Sequence, residues 1–266
     1  MASDDRLVAA SGGPRMPRQE QALTAILKAP AVCDGVETLH ALHHTANPAH
    51  AGHLAEARRV LALPVEASRL HWHPFGVYAV PLAKRHDGAR SWSRRLHLWH
   101  PDAMPVGEAS PYGVHTHTGT ARSHVVAGTL QHHLYAFAPD GDGAWQQAEL
   151  GEPRGRARLV AHLEAPTHAG MTHVLPAHQP HGVSRPPGRV AWAVSLFEQL
   201  DPLPGEAPAT QFTTWQRLDV AAEPLVLQPP VPVRAVAAAA LAIVDEALHA
   251  NEAGATTTTR ALPIRP

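Results

Sequence analysis

Between His71 and Glu198 the chain is written as short apolar or alternating runs, each closed by turn residues, and this pattern limits the fold more than any other feature. The runs are PFGVYAVPLA, RRLHLWH, GVHTHTG, SHVVAGTL, QHHLYAFAP, RARLVAHL, THVLPA and RVAWAVSLFE. Breakers such as Asp140-Gly141-Asp142-Gly143 and Arg185-Pro186-Pro187-Gly188 separate them. Such runs read as strands, because the side-chain period is two and Gly, Pro and Asp reset the chain direction. Many short strands at regular intervals predict a mainly β protein, an antiparallel double-sheet barrel of the jelly-roll type whose closure also protects the sheet edges.

The flanks carry a different period. From Arg18 to Ala62 the segments QEQALTAILKA and VETLHALHH place apolar residues at helical spacing, Pro48 interrupts them, and Leu54 to Leu63 continues as a further helix. A helical cap over 18–65 is therefore expected on the outside or one end of a barrel at 71–198. Residues 1–17 read as a disordered leader, with acidic residues and glycines where a signal peptide needs a basic start and an apolar core. Past Glu198 comes a proline-rich, irregular segment, then a helix near Val233 to Asn251 within 199–252, then a threonine tail at 253–266 that reads as disordered. The most apolar run, Val231 to Leu248, is interrupted by Arg234, Asp245 and Glu246, which predicts a soluble helix rather than a membrane span. No internal repeat divides the chain, so 18–252 is expected to be a single domain.

Composition excludes several function classes. The formal net charge is −1 and no basic patch or acidic block stands out, which argues against nucleic acid as a partner. The lone cysteine, Cys33, rules out an internal disulfide and is compatible with a reducing cytoplasm, the expected location. No glycine-rich phosphate loop, nucleophile elbow or H-E-x-x-H helix occurs.

What remains is histidine chemistry. His115 and His117 lie one residue apart, so on a strand both point to one face, and a histidine from a distant strand can complete a facial set around one ion inside a barrel. With 21 histidines in the chain some such pairs arise by accident, and His71-Trp72-His73 is read as one. The surroundings of His115 and His117 separate them from chance. This stretch resembles the first motif of the cupin superfamily, in which Gly, His-x-His, Glu and Gly recur at fixed intervals. The histidines fall on His115 and His117 and the closing glycine on Gly128, while Ala109 stands at the opening glycine, with Gly113 nearby, and Ala121 at the glutamate. The second cupin motif is matched by Gly170, Pro176 and His181, with His178 at its middle glycine and Arg185 at its final asparagine. The resemblance spans about Arg95 to Phe197 and implies a cupin-type barrel holding a metal on His115, His117 and His181. His173 and His178 flank the third position and would replace His181 in a different strand register, but Pro176 fixes the turn from which the family histidine projects.

A missing motif glutamate resembles the three-histidine iron proteins, cysteine dioxygenase and other thiol or ring-cleaving dioxygenases, and so does a helical segment ahead of the barrel. The resemblance implies iron(II), dioxygen and a small anionic substrate bearing a carboxylate or thiol. Zinc, nickel or manganese remain open, since imidazole accepts all of them. Cysteine itself is a doubtful substrate: the Ser-x-His-x-Tyr element of cysteine dioxygenase is absent from Ala193-Val194-Ser195-Leu196-Phe197-Glu198, and Arg122 lies near the position of its crosslinking cysteine. The alternatives are a non-redox metal-dependent isomerase, cyclase or lyase, a non-catalytic ligand-binding cupin, and a barrel that histidines merely decorate. A homodimer is a family expectation.

Further site residues carry two readings each. If Ala121 faces the lumen, alternation turns Ser123 and Val125 the same way, and Ser123 is either a hydrogen-bonding partner of bound ligand or an ordinary buried hydroxyl. Arg95 and His97 share one face of their strand. Arg95 is either a substrate-carboxylate clamp or a solvated side chain; His97 and Tyr135 either move protons or pack. Trp99 and Trp192 supply apolar bulk or wall the pocket, and Trp192 is carried as a substrate-binding candidate.

Overall fold

The computed structural model describes residues 45–46, 49–73, 76–87, 90–101, 113–137, 144–149, 152–184, 186, 192–200, 213–218 and 229–258. The expected leader at 1–17, the helical segments before Thr45, Pro48 and the end of the tail lie outside the described residues.

In chain order the elements are β1 (Thr45–Ala46), α1 (His50–Leu61), α2 (Val65–Ser68), β2 (His71–His73), β3 (Val77–Asp87), β4 (Arg90–Trp99), β5 (Val114–His115), β6 (Thr120–Ala127), β7 (Thr129–Phe137), β8 (Trp145–Glu149), β9 (Glu152–Ala157), β10 (Leu159–His168), β11 (Met171–Leu175), β12 (His181–Ser184), β13 (Ala193–Leu200), β14 (Thr213–Arg217) and α3 (Val233–Thr258). Among the described residues the strands form two seven-stranded sheets, β1-β11-β6-β13-β4-β3-β2 and β10-β7-β12-β5-β14-β8-β9. This is the mainly β, double-sheet barrel expected, with its C-terminal helix.

Alternation decides what each sheet face carries. In β4, Leu96 and Leu98 point outward and are fully buried with Tyr78, Val126 and Leu196 beneath the helices. α1 contributes Leu54, Ala57 and Leu61 and α3 contributes Val236, Ala240 and Val244, each set at helical spacing, so both helices lay an apolar stripe on the first sheet. Each fully buried leucine of this layer stabilises the fold by about 1.5–3 kcal/mol. The helical layer thus covers the outer face of one sheet. The Tyr78 hydroxyl pins the entry to α3, donating to the Val231 carbonyl at 2.7 Å and accepting from its N–H at 3.0 Å. The opposite residues of β4, Arg95, His97 and Trp99, face the lumen.

Two motif glycines have a backbone reason. Gly128 (φ +79) turns β6 into β7 and Gly170 (φ +87) turns β10 into β11, both in the left-handed region that L side chains rarely adopt. A Cβ at Gly128 would also overlap the Trp192 carbonyl oxygen and lie 2.9 Å from the Ala193 Cα.

Four differences from the sequence expectation stand out. β14 arises within the segment expected to be irregular and sits inside the second sheet, between β5 and β8. The run RARLVAHL breaks at Arg158 into β9 and β10. β8 and β12, each too brief for a clear period, add strands that no run announced. α3 continues past Asn251 to Thr258, into the tail. No described helix is long and apolar enough to cross a membrane.

Candidate metal centre

His115 and His181 are direct cross-strand partners, since β5 and β12 pair antiparallel with these two residues in register. His117 follows two residues after His115 and turns the same way, while the intervening Thr116 is buried on the other side. The ring centroids lie 4.5 Å apart for His115 and His181, 4.9 Å for His117 and His181, and 5.0 Å for His115 and His117. One ligand nitrogen from each ring lies within 4.8 Å of the other two. Metal–nitrogen bonds of about 2.0–2.1 Å put neighbouring donors roughly 3–3.5 Å apart, so small side-chain rotations bring all three onto one ion.

The loop that delivers these rings is tied by its backbone. The His178 N–H donates to the His117 carbonyl at 2.8 Å, and the Tyr135 N–H donates to the Pro180 carbonyl at 3.0 Å. His178 stands where the second motif has glycine, and its φ is 61°: the turn needs a left-handed residue, and histidine is among the side chains that tolerate it. His178 therefore serves the turn. His173 points into the lumen, fully buried, but stacks on His132 at 4.2 Å instead of joining the three-ring group.

The electrostatics suit a metal. Burial pushes His181 down to about 4, a shift partly opposed by its hydrogen bond to the Gln179 carbonyl. Burial, then the neighbouring His181 and His115, holds His117 well below the ordinary imidazole value. At neutral pH these rings are uncharged and can offer lone pairs. Nδ1 of His181 lies 2.8 Å from the Gln179 carbonyl oxygen. A carbonyl only accepts, so Nδ1 carries the proton and Nε2 of the neutral ring is left as the lone-pair donor. Three imidazole nitrogens fit a divalent transition metal of the iron, nickel, manganese or zinc kind.

The cavity in front of the triad has a volume of about 70 Å³ and opens between the two sheets. Of the residues proposed from sequence, Arg95, His97 and Ser123 line it. His97 stacks on Phe197 (5.1 Å, 17°), and burial, with the Arg95 charge, pushes it down to about 3. The Arg95 guanidinium sits 5.9 Å from the Phe197 ring centroid, and His117 touches the same ring at 5.1 Å. Trp99 walls the cavity, its Nε1–H donating to Ser195 Oγ at 2.9 Å.

Two proposed residues lie elsewhere. Tyr135 is not at the site: on β7 the residues Leu130, His132 and Leu134 face inward, so parity sends Tyr135 to the outer face of the second sheet, against Val114, Trp145 and Trp215. Trp192 does not wall the pocket either. It precedes β13, meets His100 edge-on at 4.4 Å and packs against the layer beneath the helices.

Sequence reasoning missed His73, His132 and Phe197, all of which line the cavity. His73 belongs to the pair taken as accidental. For the adjacent His132 and His133, one must face in; only counting from Leu130 and Leu134 tells which.

No family model and no curated protein matches the chain. Among solved structures, part of it is similar to a protein from Shewanella oneidensis (12% identity, 56% of this chain and 79% of that one, TM-score 0.34). A conserved protein with a double-stranded β-helix domain from Klebsiella pneumoniae is also similar (13% identity, 58% of this chain and 96% of that one, TM-score 0.33). So is the iron(II) form of HppE (15% identity, 46% of this chain and 49% of that one, TM-score 0.27).

Proposed function

We propose that this protein is a cupin-type, non-haem iron(II) oxygenase that acts on a small anionic substrate. The observation that carries this is the composition of the cavity wall. His115, His117 and His181 bring no negative charge, no carboxylate lines the cavity among the described residues, and the one permanently charged lining residue is the cation Arg95. A divalent ion on such a set keeps its full charge, so the cavity attracts anions to the ion and to Arg95.

His115, His117 and His181 would hold the ion, and bound iron(II) would supply a template and a redox centre for oxygen transfer from dioxygen. The rest falls to the chain. Arg95, braced over Phe197, presents a planar fork to a carboxylate. His97, neutral at physiological pH, can accept a proton or donate its N–H to a bound substrate. Val77, Trp99, Leu175, Val183 and Phe197 keep the interior dry. A cavity of about 70 Å³ suits the buried part of a small molecule.

The all-nitrogen donor set also supports a second reading, a non-redox isomerase, cyclase or lyase using zinc, nickel or manganese as a Lewis acid. Metal analysis of protein purified without added metal, followed by oxygen-electrode assays of the iron(II)-loaded protein with small carboxylates and thiols, separates the two. Iron with substrate-dependent oxygen uptake supports the oxygenase. Zinc, nickel or manganese with no oxygen uptake refutes it.

A further inference from the structure

We infer that Phe197 is a positioning residue whose ring couples the metal ligand His117 to Arg95, so that the ion and the anion-holding end of the cavity respond as one unit. The inference rests on the reading above, in which the triad holds a metal and Arg95 a carboxylate, and adds the residue that joins them.

Its basis is the way the three ligands are held. His115 and His181 face each other on paired strands of the second sheet, where backbone register fixes both. His117 lies outside this pairing, because β5 ends at His115. Its carbonyl is tied to the His178 N–H, but its ring reaches Phe197 of the first sheet, 5.1 Å away between ring centroids and inclined at 49°. Phe197 is thus a point where the first sheet supports a metal ligand held by the second.

The same ring carries the groups that face the substrate. Arg95 is its cross-strand neighbour on β4, with the guanidinium carbon 5.9 Å from the ring centroid, and His97 stacks on it at 5.1 Å and 17°. A cation over an aromatic face and a stacked ring pair are both attractive, and the first strengthens where water is excluded.

The Phe197 ring is itself braced from behind. It is 5% exposed and packs with Ala121, Leu134 and Leu175. Among the described residues its strand, β13, lies at the centre of the first sheet, with three strands on either side. Side chains that share one packed neighbour are energetically coupled through it. Removing the ring therefore loosens His117 and Arg95 together, while every ligand nitrogen and the guanidinium charge remain in the chain.

The test is a double-mutant cycle on full-length protein loaded with cobalt(II), whose visible spectrum reports on binding of propanoate as the probe. The four proteins are the wild type, Arg95→Gln, Phe197→Leu and the double variant. Phe197→Leu is expected to weaken both cobalt and propanoate binding by roughly 3–10-fold, the worth of a lost supporting contact. The decisive quantity is the further cost of Arg95→Gln, expected to be roughly 10–100-fold with the ring present and to fall to about threefold or less without it. Phe197→Tyr, which keeps the ring, should retain the full cost. A purely structural role for Phe197 would leave the two costs equal, and equal costs overturn the inference while leaving the metal site intact. Circular dichroism verifies the fold, and Phe197→Met, closer in volume, replaces Phe197→Leu in the cycle should that variant unfold. Unfolding of both overturns the inference, because Phe197 would then serve the core. Failure of the wild type to bind cobalt refutes the metal-site reading itself.

Discussion

Nδ1 of His181 donates to the backbone carbonyl of Gln179 across 2.8 Å, and this single contact settles which nitrogen of the third histidine offers its lone pair. The same Gln179 anchors the loop through its side chain, donating from Nε2 to the Tyr135 carbonyl at 2.6 Å and to the Pro180 carbonyl at 3.2 Å. Residue 179 thus links the placement of β7 to the orientation of a metal ligand.

Gln179→Ala removes the side-chain anchor and leaves all three imidazoles in the sequence. Metal affinity is expected to drop by roughly 10-fold, the lower end of what losing a supporting hydrogen bond costs a metal site. Competition of cobalt(II) against a coloured chelator measures it, and unchanged affinity would show that the loop holds His181 without Gln179.

Much of this arrangement is legible in the sequence, for reasons that also explain what is not. Gly128 and Gly170 can be read as turns because their φ values, +79 and +87, demand glycine. His115 and His117 can be placed on one face because strand parity is local. Tyr135 could not be placed, since its direction depends on where the β6–β7 turn restarts the count, and one residue of slip exchanges lumen for outer face. β14 was hidden because its five residues sit in proline-rich surroundings and gain their partners, β5 and β8, only from tertiary pairing. His132 was hidden by its neighbour His133, which offers the same chemistry on the opposite face.

Arg95 supplies the test of substrate charge. Arg95→Gln is expected to weaken binding of a small carboxylate to the cobalt-loaded protein by roughly 10–100-fold, the worth of charge-assisted hydrogen bonds, with metal content unchanged. Arg95→Lys should restore little of it, because a lysine ammonium lacks the planar fork. Equal carboxylate affinity in wild type and Arg95→Gln would remove Arg95 from the site.

The packing of α1 on the first sheet predicts an acid sensitivity. His53 of α1 is pushed down to about 4 by burial and then by the Arg94 charge. His124 of β6 is pushed down to about 3 by burial, then by His53, His50 and Arg122. Glu198 and Glu56 balance Arg94, and Glu198 also pairs with Arg122, so an added proton finds no spare carboxylate in this network. Both folded values lie below the ordinary 6.5, so the unfolded chain binds more protons over this window. The associated stability is complete above about pH 6.5 and is lost as pH falls toward 4 and then 3. Urea midpoints should decline steadily on acidification through that range, and His124→Gln should flatten the decline. A midpoint independent of pH would contradict the packing.

His178 holds a left-handed backbone at φ 61° in the turn between His117 and His181. His178→Gly relieves that strain and is expected to stabilise the folded state by about 0.5–1 kcal/mol, after the flexibility that glycine adds to the unfolded chain. Metal affinity should stay within about twofold, since the His178 backbone N–H that bonds the His117 carbonyl remains. Chemical denaturation of the two proteins checks the first expectation. A large loss of bound metal would instead make His178 a ligand.

The most direct measurement is metal stoichiometry combined with X-ray absorption on the iron(II)-loaded protein and on His115→Ala, His117→Ala and His181→Ala. The account predicts one ion per chain, a coordination shell containing three imidazole nitrogens in the wild type, and binding weakened by more than about 100-fold in every variant, with folded circular dichroism spectra throughout. Wild-type protein that binds no ion, or any of the three variants holding iron as tightly as the wild type, would contradict it.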